Sequence, residues 1–159
     1  MNRLRIAVLG DSHGNTECID VFMKNIGDVD YIIHTGDNFA DIEYIAENYA
    51  VNIIGVKGNC DFQSKGKNEL LEVIGGKKFF VTHGHQYAVK YGLNNIFYRG
   101  KELEADVVVF GHSHIPHYSL EEDMILLNPG SISLPRGGSS KGFAILDVNK
   151  DITVEFVEI

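Results

Sequence analysis

The stretch Arg5-Ile-Ala-Val-Leu-Gly-Asp-Ser-His-Gly-Asn15 decides how this chain is read. Ile6 to Leu9 is an apolar run closed by Gly10, the pattern of a short strand covered on both faces. Asp11, Ser12 and His13 follow at once, so a carboxylate and an imidazole stand where strand gives way to loop. In open α/β sheets ligands are bound at that carboxyl end. Asp11 and His13 are separated by one residue, and in extended backbone their side chains share a side and can close on one ion.

Downstream the same arrangement recurs. Cys18, Ile19, Phe22, Met23 and Ile26 fall on one face of a helix, with Asn15 or Thr16 as its N-cap and Gly27 as its stop. A strand over 31–33 runs into His34-Thr-Gly-Asp-Asn38. Ile42, Ile45, Ala46 and Tyr49 mark a second helix, and a strand over 52–56 empties into Gly58-Asn-Cys-Asp61. Residues 63–68 read as an exposed polar loop. Strands over 70–74 and 77–82 flank Gly75-Gly76, which suits a type I′ hairpin, and the second arm ends in His83-Gly-His-Gln86. The spacing of Val89, Leu93, Ile96, Phe97 and Leu103 predicts one helix over 87–104, although Gly92 and Gly100 weaken it. Strands over 106–110 and 124–127 lead into Gly111-His-Ser-His114 and Asn128-Pro-Gly-Ser131, and a terminal hairpin over 142–148 and 152–157 has one wet face. No linker, repeat or low-complexity tract interrupts this, so residues 1–159 read as one domain.

The composition, 44% hydrophobic and 23% charged, is that of a globular chain able to bury a core without disulfides. The longest apolar runs are far too short to span a membrane. The first strand starts almost at Met1, which leaves no room for a secretory signal, and Cys18 and Cys60 make no disulfide framework. The expected compartment is the cytoplasm. With 14 Lys and Arg against 22 Asp and Glu, and the basic residues scattered, a long polyanion is a poor partner. Two bound divalent ions would halve the net charge of −8 and draw a small anion to one place.

All seven histidines (13, 34, 83, 85, 112, 114 and 117) fall at or just past a strand-like run, and none on a predicted helix. Asp11, Asp37 and Asn59 occupy the same kind of position in Gly-rich turns. Independent structural histidines have no reason to obey that rule. Imidazole, carboxylate and amide oxygens are donors for manganese, iron, zinc or nickel, and the composition excludes a thiolate-rich structural zinc site. More than four candidate donors suggests two ions, the clamp used for in-line displacement at phosphorus.

The ordered set Asp-x-His, Gly-Asp, Gly-Asn-x-Asp, His-Gly and Gly-His-x-His resembles the calcineurin-like metallophosphoesterase superfamily from about Asp11 to His114. The overall length and the segment Asn128-Pro-Gly-Ser-x-Ser-x-Pro-Arg136 are similar to its small single-domain bacterial and archaeal phosphodiesterases. The resemblance implies an α/β fold: a four-layer α/β/β/α sandwich of two mixed β-sheets flanked by helices. It implies Asp11, His13 and His114 on one metal ion, Asn59, His83 and His112 on the other, and Asp37 bridging. Manganese is expected first, with nickel, iron, cobalt or zinc as alternatives. Cys60 departs from the family, in which a histidine often follows the Asn and serves the leaving group or the phosphate oxygens.

Among the remaining residues, His34 reads as a neutral core histidine and Asp61 as a brace for the Asn59 loop. His85 and His117 read either as partners orienting a ligand or as mere neighbours of the site. Cys60 and Arg136 read as substrate-side residues, with an inert small side chain and a solvated arginine as their plainer alternatives.

The expected activity is hydrolysis of small phosphodiesters by a metal-bound hydroxide, with Asn59 and His83 near the developing charge. The expected partner is therefore a small phosphodiester, with neither long nucleic acid nor membrane, and a homo-oligomer is left open. One alternative is a non-catalytic scaffold of the same fold, as the retromer subunit resembling this family is thought to be. A nuclease of the superfamily is the other, and it needs a basic track that the chain lacks.

Overall fold

A computed structural model describes residues 3–61 and 66–159. The elements run β1 (Leu4–Leu9), α1 (Thr16–Asn25), β2 (Tyr31–His34), α2 (Phe39–Asn48), β3 (Ile53–Gly55), β4 (Glu69–Ile74) and β5 (Lys77–Thr82). A 3-10 turn, His85–Tyr87, precedes α3 (Asn94–Glu102), β6 (Val107–Val109), β7 (His117–Glu121), β8 (Met124–Asn128), β9 (Gly142–Val148) and β10 (Ile152–Glu158). One sheet has the order β10-β9-β1-β2-β3 and the other β4-β5-β6-β8-β7. In the first, β1 pairs parallel with β2 and antiparallel with β9. In the second, β5, β6 and β8 are parallel and β4 and β7 are antiparallel edges.

The two faces of β1 explain the layering. Ile6 and Val8 point between the sheets, where they meet Ile33, Phe79, Val81, Val107 and Leu146. Ala7 and Leu9 point outward to Ile19 and Phe22 of α1 and Ile45 of α2. On the far side Phe80, Val108 and Leu126 receive Ile96 of α3. Residues 6–9 are wholly buried, so the unbroken apolar run is what a strand with protein on both faces requires. These three cores make four layers: α1 and α2, the first sheet, the second sheet, and α3.

Local chemistry sets the ends of these elements. Asn15 caps α1, its side chain accepting from Cys18 N at 3.1 Å, and Gly27 turns away with φ +66°. Gly75 and Gly76, at φ +61° and +78°, make the two-residue turn that places Ile74 opposite Lys77. The described part of the expected 63–68 loop is Gly66 to Asn68, which precedes β4; residues 63–65 of that expectation lie outside the described residues.

Three expectations are corrected. The helix over 87–104 shortens to Asn94–Glu102, because Ala88 adopts φ +52° and Gly92 φ +156°, which an α-helix does not admit. The strand His117–Glu121 was not foreseen: it is an exposed edge whose alternation is weak. The histidine rule also has exceptions, since His85 opens the 3-10 turn and His117 begins β7 rather than following a strand.

Gly100 is buried on α3, and a Cβ there would lie 2.7 Å from both Met124 Sδ and Val108 Cγ2. Helix propensity alone favours Gly100→Ala by about 1 kcal/mol, whereas overpacking against a sheet costs about 1–3 kcal/mol. Gly100→Ala should therefore lower stability in urea unfolding. A variant stabilised by the propensity gain would show that α3 sits less tightly on the sheet.

Candidate metal centre

The carboxyl ends of β1, β2, β3, β5 and β6 open on one place. Past the strands, Asp11 N donates to Gly36 O at 3.2 Å, His13 N to Asp37 O at 3.1 Å, and Gly111 N to His83 O at 2.9 Å, so the loops stay in register. The sheets are joined there by side chains: His83 Nδ1 lies 2.9 Å from Thr35 O, and His112 N donates to Asp11 Oδ2 at 3.2 Å. Asp11, His13, Asp37, His112 and His114 all hold left-handed backbone, with φ between 51° and 71°. Such residues cost about 1 kcal/mol or more each and collect at functional sites.

The donor atoms form two groups. In the first, Asp11, His13, Asp37 and His114 each offer an atom within 4.8 Å of the others. His13 Nε2 lies 3.2 Å from His114 Nε2, which lies 3.6 Å from Asp11 Oδ1, and His13 Nε2 lies 3.8 Å from Asp37 Oδ2. In the second, Asp37, His83 and His112 converge within the same limit, with His83 Nε2 at 3.3 Å from Asp37 Oδ2. Asp37 belongs to both groups.

Electrostatics in the protein alone leave a deficit of positive charge. Asp11 is wholly buried and its Oδ1 has no hydrogen-bond donor among the described residues. Burial pushes this carboxyl up to about 7, against the pull of His83. Asp37 moves the other way: although burial opposes it, the facing His83 holds its carboxyl well below the usual range. His83 is raised in turn, its burial outweighed by Asp37 and Asp11. His83 Nε2 approaches Asp37 at ion-pair distance but has no hydrogen-bond geometry to any described group.

The histidine tautomers point the same way. Thr35 O and Leu134 O accept only, so the Nδ1 atoms of His83 and His114, 2.9 and 2.6 Å from them, carry protons. In the neutral rings both Nε2 lone pairs then face the carboxylates, the orientation that backbone carbonyls give to metal-binding imidazoles. Burial, reinforced by the neighbouring His83, pushes His112 down to about 4, which keeps it neutral as a ligand must be. Unpartnered Asp11 Oδ1 and His83 Nε2, opposed Nε2 atoms and an all N/O donor set fit divalent cations.

Asn59 is exposed in the turn Gly58–Asp61, closed by Asp61 N donating to Gly58 O at 3.2 Å. That turn abuts the centre, since Cys60 N donates to Asp37 Oδ1 at 3.1 Å and a Cβ on Gly58 would overlap the Asp37 carboxylate. Asp61 braces it: Oδ2 accepts from Gly58 N and Oδ1 from Phe39 N, both at 2.8 Å. Cys60 is an exposed free thiol, pushed up by partial burial and then by Asp37. Exposed Arg136 has its backbone N on His114 O at 3.1 Å. His34 is a buried core histidine, pushed down to about 4 by burial. Its Nδ1 accepts from Gly36 N at 3.0 Å, so Nε2 donates to Ser12 Oγ at 2.8 Å. The His85 ring lies 5.5 Å from that of His83, whereas His117 is tied to Ser119 Oγ at 2.9 Å.

Sequence reasoning missed the residues that hold the loops. Ser12 Oγ donates to Asp41, which also accepts from Gly14 N at 2.9 Å, so a carboxylate of α2 fixes the Asp11–His13 loop from behind. The only sequence signal was an acid three residues after Asn38, and that reads as a helix cap. Ser131 Oγ and Ser133 Oγ donate to Asp11 O at 2.8 and 3.0 Å. Asn128 Nδ2 donates to Gly111 O at 3.2 Å and Ser113 Oγ at 2.9 Å.

This geometry has counterparts among known proteins. A family model described as the calcineurin-like phosphoesterase superfamily domain matches residues 4–151. The chain is 42% identical to the probable metallophosphoesterase YsnB of Bacillus subtilis, over 98% of this chain and 91% of that one. Its fold matches that of a predicted phosphoesterase from Streptococcus pneumoniae TIGR4 with a TM-score of 0.87 at 32% identity, covering 99% and 91% of the two chains. It also matches an archaeal phosphodiesterase with a TM-score of 0.75 at 25% identity, covering 97% and 100%. From a family match across nearly its whole length and a close relative of like size, the chain belongs to the calcineurin-like phosphoesterase superfamily, as a small metallophosphoesterase.

Proposed function

We propose that residues 1–159 form one phosphodiesterase domain that hydrolyses small phosphodiesters at a dinuclear metal centre. The observation that carries this is Asp37, common to two converging donor groups, beside the unpartnered Asp11 Oδ1 and His83 Nε2. Asp11, His13 and His114 would hold one ion and Asn59, His83 and His112 the other, with Asp37 shared between them. The N/O donors suit manganese first, then nickel, iron, cobalt or zinc. The archaeal neighbour described as a phosphodiesterase supports the diester. Two free cysteines suit a reducing cytoplasm, and among the described residues no helix is long and apolar enough to cross a membrane.

Bound ions supply Lewis acidity at phosphorus and lower the pKa of the attacking water. The chain supplies position. Thr35 O takes the Nδ1 proton of His83, which leaves Nε2 for an ion and no proton for substrate, so the side-chain amide of Asn59 would be the group that donates to the phosphoryl oxygens. Arg136, whose backbone N donates to His114 O, would meet a non-bridging oxygen with its guanidinium. Cys60, whose N donates to Asp37 Oδ1 at 3.1 Å, would stand on the leaving-group side, where its thiol, raised above its ordinary value, would be a weak proton donor at neutral pH. A scaffold would gain nothing from holding Asp11, His13, Asp37, His112 and His114 in left-handed backbone.

Three outcomes are expected. Manganese at about 100 times its Kd should raise Tm by about 5–10 °C, from a binding contribution of about 2.7 kcal/mol. A Tm unmoved by manganese, nickel or EDTA in scanning calorimetry would remove the site.

Asp37→Ala should cost about 10³-fold in kcat/KM on an aryl phosphodiester and His114→Ala about 10²-fold, because only Asp37 serves both ions. Assays at saturating metal decide this, and equal losses would contradict the bridge.

Cys60→His should raise turnover of alkyl diesters by up to about 10²-fold where protonation of the leaving group limits, and of aryl diesters far less. Both substrates are assayed at matched metal content. Equal changes would place Cys60 away from the leaving group.

A further inference from the structure

Beside the candidate centre lies a cavity of about 370 Å³, within the size range of small-molecule sites. Its apolar lining comes from Val89, Leu93, Ile115 and Pro116 together with buried Phe110. Ser113 also lines it, and Ser113 separates His112 from His114, so the loop bearing two candidate ligands forms one wall. Neither the expected helix over 87–104 nor the reading of that histidine loop anticipated this space. Its Val89, Lys90 and Leu93 belong to the non-helical stretch before α3, which holds the positive φ of Ala88 and Gly92.

Its polar groups are few and of one sign. Lys90 and Arg136 stand exposed at its edge, in a chain whose net charge is −8. Both line the cavity and lie within electrostatic range of the candidate ligands, Lys90 of His112 and Arg136 of Asp11 and His114. His117 adds an aromatic face, its ring 6.3 Å from that of Phe110 and tied by Ser119. An apolar slot with an imidazole face and a guanidinium suits a planar ring, and two cations toward the metal side suit the phosphate that carries it.

Resting on the phosphodiesterase reading above, we propose that this cavity is a specificity subsite for an aromatic substituent of the phosphodiester. Val89, Leu93, Ile115 and Pro116 contact the ring, and Lys90 and Arg136 hold its phosphate toward the centre. An aryl group and a nucleobase share this chemistry. A diester with only small alkyl groups leaves the cavity wet and gains nothing from it.

Phosphonates test this by binding, without turnover. On manganese-loaded protein, calorimetry should find phenylphosphonate about tenfold tighter than methylphosphonate, a difference typical of filling an apolar pocket. Ile115 is 43% exposed and outside the donor set, so Ile115→Asn should fold, and it adds no charge beside the phosphonate. It should remove the phenyl preference and leave methylphosphonate within about twofold, while Ile115→Val keeps the preference. Adenosine 5′-monophosphate is the third probe: weakened with phenylphosphonate by Ile115→Asn, it identifies a nucleobase; unaffected while phenylphosphonate weakens, it identifies an aryl group. Equal affinity for the two phosphonates in the parent protein, or equal loss of both in Ile115→Asn, would overturn the subsite. Phenyl preference in a loaded protein that hydrolyses no diester would overturn the phosphodiesterase reading while leaving the ring site in place.

Discussion

One oxygen of a buried carboxylate sets the terms for this molecule. Asp11 sits at the end of the central strand with no solvent exposure, and its Oδ1 has no donor among the described residues. A carboxylate in that position costs several kcal/mol unless positive charge is supplied. The protein offers only part of it: His114 Nε2 at 3.6 Å and His83 Nδ1 at 3.9 Å, the latter already turned to Thr35 O. Protonation, which burial drives toward pH 7, is one answer, and a divalent cation is the other. The second also accounts for His83 Nε2, which faces Asp37 without a hydrogen bond, and for the close approach of the His13 and His114 Nε2 atoms.

The fold holds that arrangement by distributing the strain. Parallel strands in both sheets deliver their carboxyl ends to one edge, and the left-handed residues there bend each loop inward. Hydrogen bonds from outside the donor set keep them bent. Asp41 and Ser12 act from the helix side, Ser131 and Ser133 hold the carbonyl of Asp11, and Asn128 holds the loop of His112 and His114. The segment from Asn128 at the end of β8 to Ser133 thus braces two loops that carry candidate ligands, one from each sheet, without contributing a ligand itself.

Much of this was legible in the residues because the governing patterns are local. A run apolar on both faces means a doubly covered strand, Asn15 and Gly27 bound a helix, and Gly75-Gly76 makes a tight hairpin. The candidate ligands could be named because Asp-x-His and Gly-His-x-His carry their chemistry at short spacing. What stayed hidden depends on contacts far apart in sequence. Asp41 looks like a helix cap until the fold brings Ser12 against it, 29 residues away. The break before α3 coincides with a positive φ at Ala88, a residue whose own propensity is helical, so neither the break nor the cavity lined by Val89, Lys90 and Leu93 has a sequence signature.

The fold brings together two candidate donor groups sharing Asp37 and, beside them, a cavity lined by Lys90, Arg136 and apolar side chains. The most direct test is a crystal structure of the manganese-loaded protein with anomalous difference density. The account predicts two peaks about 3.5–4 Å apart, one bounded by Asp11, His13 and His114, the other by Asn59, His83 and His112, with Asp37 between them. A single peak at full loading, or peaks that leave Asp37 in contact with only one ion, would contradict it.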